Sequence, residues 1–68
     1  MAIAKVIEIS AASDKSFEDA INQGVARATE SVDDVRGAWV KEQNVVVAGG
    51  KITEYRVDLK VTFVLHQK

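Results

Sequence analysis

The chain has 68 residues, a net charge of −1, no cysteine and one histidine. Such a length makes one domain over residues 1–68, near the size at which a single core is marginal without help. The composition excludes disulfides and thiolate metal sites, one histidine cannot by itself build a zinc site, and near-neutrality argues against nucleic acid or an anionic membrane as the main partner. Oligomerisation is the remaining aid to so small a core. No apolar run approaches the ~20 residues of a membrane span. The start, Met1 to Lys5, lacks the charged head and apolar centre of a signal peptide, so the expected location is cytoplasmic.

Ile3 to Ser10 is rich in Val and Ile and ends in Ser10-Ala-Ala-Ser-Asp14, which predicts a short strand. Lys5, Ile7 and Ile9 share one of its faces and Val6 lies on the other. Ser16 to Glu30 then predicts the only helix. Ser16 is a natural N-cap, and Glu18 and Asp19 place carboxylates in the first turn, where they favour the helix dipole. Phe17, Ala20, Ile21, Gly24, Val25 and Ala28 follow the i, i+3, i+4, i+7 rhythm and form one apolar stripe. Its residues are mostly small, so the helix can lie close to a sheet.

After the polar link Ser31-Val-Asp-Asp34, the residues Val35 to Leu65 predict a long hairpin turning at Ala48-Gly49-Gly50-Lys51. Two adjacent glycines suit a primed turn, which needs positive φ. In the second arm Tyr55, Val57, Leu59, Val61, Phe63 and Leu65 alternate with Glu54, Arg56, Asp58, Lys60 and Thr62, so one face is buried and the other wet. With the glycines at the turn, Ala48 faces Lys51, Val45 faces Glu54, Gln43 faces Arg56, Lys41 faces Asp58 and Trp39 faces Lys60. On the apolar face Val40 meets Leu59 and Ala38 meets Val61.

Arms of about 13 residues make a hairpin ~40 Å long, whereas a helix of about 14 residues spans ~21 Å. One helix therefore covers about half of the apolar face. A strip carrying several of Tyr55, Val57, Leu59 and Val46 is left over, and other copies of the chain should cover it.

The one tryptophan, Trp39, lies on the polar face beside Lys41, Gln43, Arg56 and Lys60. It can serve as a platform for a planar ligand, or fill a subunit interface, where aromatic residues are enriched. Glu54, Asp58, Glu42, Asp33 and Asp34 carry oxygens of the kind that Ca²⁺ takes. Their alternation with Lys41, Arg56 and Lys60 fits a charge-paired, solvated face better, and no metal ligands are assigned. His66 has no nucleophile to activate and reads as a solvated surface residue. Gly49 and Gly50 turn a hairpin and open no helix, so they are not a phosphate loop. No catalytic residues emerge, and the expectation is a non-enzyme.

Ser31-Val-Asp-Asp-Val-Arg-Gly-Ala-Trp-Val-Lys-Glu-Gln43 and Gly50-Lys-Ile-Thr-Glu-Tyr-Arg-Val-Asp-Leu-Lys-Val-Thr-Phe63 resemble the dodecin family. So do Lys5-Val-Ile-Glu-Ile9, Ser16-Phe-Glu-Asp-Ala20 and the strand–helix–strand–strand order. The resemblance spans nearly the whole chain without gaps. It implies an α+β fold of β-α-β-β order, with a three-stranded antiparallel sheet partly wrapped around one helix, assembling as a hollow homododecamer. It also implies a shell that binds and stores or buffers a flavin, FMN or riboflavin, stacked on tryptophan and hydrogen-bonded by a glutamine. The family's tryptophan position falls on Gly37 and its glutamine position on Arg56; Trp39 stands two residues along the same face, ~7 Å away. The expected flavin contacts are thus Trp39, Gln43, Arg56, Gly37 and Lys41, with an amide from Gln43 facing Arg56. The segments Asp33-Asp34, Glu42-Gln43 and Tyr55-Arg56 are also similar to a calcium-binding, flavin-free branch. That gives the alternative of a structural or Ca²⁺-holding assembly with Trp39 at an interface.

Overall fold

The computed structural model describes residues 3–66; Met1, Ala2, Gln67 and Lys68, which belong to the terminal segments read above, lie outside the described residues. The elements run β1 (Ile3–Ser13), α1 (Phe17–Ser31), β2 (Val35–Ala48) and β3 (Lys51–Leu65). The three strands form one antiparallel sheet in the order β1-β3-β2, so the most regularly alternating strand lies in the centre.

β1 runs three residues beyond the expected end at Ser10. Ala11, Ala12 and Ser13 stay in the ladder opposite Val57, Arg56 and Tyr55, because the long β3 offers partners that outweigh their weak strand preference. Ser13 ends the strand buried, where its hydroxyl donates to Asp19 and accepts from the Lys15 amide. That bond holds the Asp19 carboxyl below its usual range, against the opposing effect of desolvation.

Ser16 caps α1 as expected, accepting from the Asp19 amide at 2.9 Å. The small-residue stripe does what its size allows. Ala20, Gly24 and Ala28 are buried, and a Cβ added to Gly24 would come within 2.9 Å of Leu59 Cδ1 and 3.2 Å of the Ala11 Cβ. Under the helix, Val57, Leu59 and Val61 are at most 1% exposed, with Phe63 also buried. Ile7, Ile9 and Ala11 of β1 pack against this core with Phe17, Ile21, Val25 and Val35.

The turn forms at the two glycines, with φ of 60° at Gly49 and 77° at Gly50. Ala48 opposes Lys51, Val40 opposes Leu59, Trp39 opposes Lys60 and Ala38 opposes Val61, as the sequence leads one to expect. Between these points the register differs. Irregularities at Val46/Val47 and Val40/Glu42 shift the middle of the hairpin by one residue, so Val45 opposes Tyr55, Asn44 opposes Arg56, Gln43 opposes Val57 and Glu42 opposes Asp58. The expected pairs Val45–Glu54, Gln43–Arg56 and Lys41–Asp58 do not form. Two-residue alternation carries no mark of such bulges, and one extra residue sends each following side chain to the other face.

The molecule extends over 54 × 18 × 13 Å, and the hairpin tip projects past the helix. The uncovered apolar residues are not those expected, since Val57 and Leu59 lie under the helix and Val46 sits opposite Glu54 on the other face. Those left exposed near the tip are Val45, Val47 and Ile52. At the far end Ile3, Val6 and Leu65 are also exposed.

Candidate functional site on the open sheet face

The face of the sheet away from the helix is ordered by register into rows across the three strands. Glu8, Lys60 and Trp39 form one row; Ser10, Asp58 and Glu42 the next; Ala12, Arg56 and Asn44 the third. Trp39 is 50% exposed, which is high for the largest apolar side chain in the molecule. Lys60 Nζ lies 5.9 Å from its ring centroid, at the outer limit of a cation–π contact. Beside it Gly37 leaves open space, since a Cβ there would meet nothing within 4 Å.

Lys41 is the extra residue of the bulge on β2. It reaches across the central strand to Glu8 on β1, with Nζ 3.2 Å from Oε2, and so shares the open face with Trp39. Neighbouring Glu42 stands opposite Asp58 on the same face. Ser10 Oγ donates to Asp58 Oδ1 at 2.6 Å, and Arg56 Nε donates to Glu54 Oε1 at 3.3 Å. Between β1 and β2 a recess of about 430 Å³ is lined by Ser10, Ala11, Ala12, Asn44, Arg56 and Asp58.

Of the residues expected to meet a flavin, Trp39, Gly37, Lys41 and Arg56 come together on this face. Gln43 does not: the bulge at Lys41 turns it to the helix side, opposite Val57, and Asn44 takes the place facing Arg56. Glu8, Ser10 and Asn44 were not singled out from the sequence. Their alternation was legible, but the pairing of β1 with β3 that brings them beside Trp39 was not.

Among the described residues no three His, Asp or Glu side chains gather to hold a metal. Glu42 and Asp58 are a pair of hard oxygen donors suited to Ca²⁺, but Ca²⁺ takes six to eight oxygens and one protomer supplies too few. Asp34, another sequence candidate, is committed elsewhere. Arg36 engages both of its oxygens, with Nη2 2.9 Å from Oδ2, and His66 Nε2 donates to Oδ2 at 2.6 Å. Arg36 above all, then His66, holds the Asp34 carboxyl below its usual range in spite of desolvation. His66 is thus exposed at the surface, as expected, yet bound to a specific partner.

A β-α-β-β chain with one helix on one sheet face, and a polar face bearing an unburied tryptophan on the other, defines a small two-layer α+β protein with one open sheet face. The sequence model of the Dodecin family matches residues 3–66, and the chain belongs to that family. It is 48% identical over 64 residues to the calcium dodecin of Mycobacterium tuberculosis, covering 93% of this chain and 89% of that protein. The crystal structure of that calcium dodecin, described as having a novel calcium-binding site, matches at 43% identity and a TM-score of 0.81, covering 97% of this chain and 94% of that one. A single-residue variant of the T. thermophilus dodecin matches at 28% identity with a TM-score of 0.93 over 100% of both chains. The dodecin of Streptomyces davaonensis matches at 26% identity and 0.92 over 97% of each. Dodecins are small binding and storage proteins.

Proposed function

We propose that this chain is the non-enzymatic subunit of a self-assembled cytoplasmic shell that holds a calcium ion between copies on the open sheet face. The observation that carries this reading is the Glu42–Asp58 pair, two carboxylates directly opposite one another across β2 and β3. Like charges in that position disfavour a sheet unless something compensates them. Lys60 and Arg56, on either side of Asp58 along β3, supply part of the compensation, and a bound cation would supply the rest. The kinship with a calcium dodecin supports the same ion. Assembly would bring the missing oxygens from a second copy, carbonyls or water, and would cover Val45, Val47 and Ile52, which this chain leaves exposed.

The test is calorimetry of CaCl₂ into the assembled protein, with MgCl₂ as the control for charge alone. The expected result is binding heat that is lost in the Glu42→Gln, Asp58→Asn double variant. No heat in the unaltered protein sinks the reading, and a light-scattering mass near that of one chain sinks the shell.

A second reading, a flavin (FMN or riboflavin) on the same face, is favoured by one specific observation: Trp39 is half exposed, with open space beside it at Gly37. Trp39 would stack on the ring, and Arg56, Asn44 and Lys41 would give polar contacts. Riboflavin fluorescence that is not quenched at protein excess removes this reading; quenching that disappears in Trp39→Ala locates it.

A further inference from the structure

Asp34, the last residue before β2, has a φ of 57°, in the left-handed region that an aspartate enters only at a cost. Three contacts hold it there. Its carbonyl accepts from the Val64 amide at 3.2 Å. Its carboxylate is gripped by Arg36, which belongs to an irregularity at the start of β2. It also takes the His66 imidazole from just beyond the end of β3. These contacts join the chain entering β2 to the chain leaving β3, beside a hollow of about 330 Å³ lined by Val32, Asp33, Phe63, Val64, Leu65 and His66.

We propose that Asp34, Arg36 and His66 form a pH-sensitive latch that fastens the end of β3 to the start of β2 and loosens as the imidazole loses its proton. A protonated imidazole gives Asp34 a charge-assisted bond, and the neutral ring gives a weaker one. Arg36 stays charged throughout, so the carboxylate remains paired on one side while its hold on β3 weakens. Among the described residues, the other charged groups nearby do not replace that hold. Asp33, on the wall of the hollow, has the same sign as Asp34. Lys5 of β1 lies opposite Phe63, three residues before His66. At the end of α1, Arg27 and Glu30 pair with each other at 3.7 Å. With its side chain released on one side, Asp34 keeps its unfavourable backbone angle with less to sustain it, so the latch has a second arrangement to relax into.

The experiment is amide hydrogen exchange on the assembled protein from pH 5.5 to 8, corrected for the intrinsic pH dependence of exchange. The Val64 amide reads the latch, and amides around Leu59 at the centre of β3 read global opening. The expected result is a loss of Val64 protection of about fivefold as pH rises, the scale set by a charge-assisted against a neutral hydrogen bond. Leu59 protection should be unchanged. In His66→Gln and in Asp34→Asn, Val64 protection should be low and flat with pH. The sole histidine makes its ring signal assignable without further variants. Val64 protection independent of pH, the same pH dependence in His66→Gln, or an equal change at Leu59 would each overturn the latch.

Discussion

On the helix side of the sheet, Val57, Leu59 and Val61 are at most 1% exposed beneath Ala20 and Ala28. On the other side the same strands present Trp39 at 50% exposure among Glu8, Lys41, Glu42, Asp58 and Lys60. Strand alternation makes both faces from one stretch of sequence, but among the described residues only one of them is closed. The closed face holds most of the apolar burial and therefore most of the stability. The open face is held by ion pairs and hydrogen bonds that are individually weak in water. It can change its chemistry with little effect on the fold, and the proposed calcium site lies there.

The closed face depends most on Leu59, which is fully buried under the helix. Leu59→Ala should lower the free energy of unfolding by about 3 kcal/mol, the removed methyl groups and the cavity both contributing. Urea denaturation at fixed protein concentration measures it, since assembly links stability to concentration. A loss under ~1 kcal/mol would mean that the closed face collapses around the vacancy or does not carry the fold.

A smaller loss is expected at Gly24. Alanine improves helix propensity by about 1 kcal/mol there, but overpacking costs about 1–3 kcal/mol. The new Cβ would stand 2.9 Å from Leu59 Cδ1 and 3.2 Å from the Ala11 Cβ. Leu59 Cδ1 is the mobile end of a buried side chain, but the Ala11 Cβ is fixed to its strand, so the crowding outweighs the propensity and Gly24→Ala should cost about 1 kcal/mol net. A stabilised variant would show that the helix rides further from the sheet than these distances allow.

On the open face the effect should nearly vanish. Trp39→Ala is expected to change unfolding by about 0.5 kcal/mol or less, as exposed substitutions do. A much larger loss, together with a fall in light-scattering mass, would make Trp39 an interface residue and would extend the contact between copies proposed at Glu42 and Asp58 to its row.

The fold was largely legible because its strongest signals are local and periodic. The alternation of Tyr55 to Leu65, the Ser16 cap, the small-residue stripe of α1 and the Gly49-Gly50 turn each act over a few residues. The site was legible only in part. Trp39, Gly37, Lys41 and Arg56 share the open face as expected, without that testing any role in binding, but Gln43 does not, because a bulge is set by how two strands settle together and leaves no composition signature. The Asp34–His66 contact joins residues far apart in the chain, and neither one is unusual where it stands in the sequence. Relationships of that kind need the pairing of strands before they can be read.

The smallest effect is expected on the open face, at an exposed ion pair. Lys41 and Glu8 pair across the central strand at 3.2 Å, with side chains 50% and 47% exposed. In water such a pair is screened and contributes about 0.2–1 kcal/mol. A double-mutant cycle of Lys41→Met and Glu8→Gln should therefore return a coupling of about 0.3 kcal/mol at low salt. It should fade at about 1 M salt, where the Debye length is roughly 3 Å. A coupling well above ~1 kcal/mol that persisted in salt would mean the pair has left water. Among the described residues nothing covers it, so the cover would have to come from another copy, and the contact between copies proposed at Glu42 and Asp58 would then reach as far as this pair.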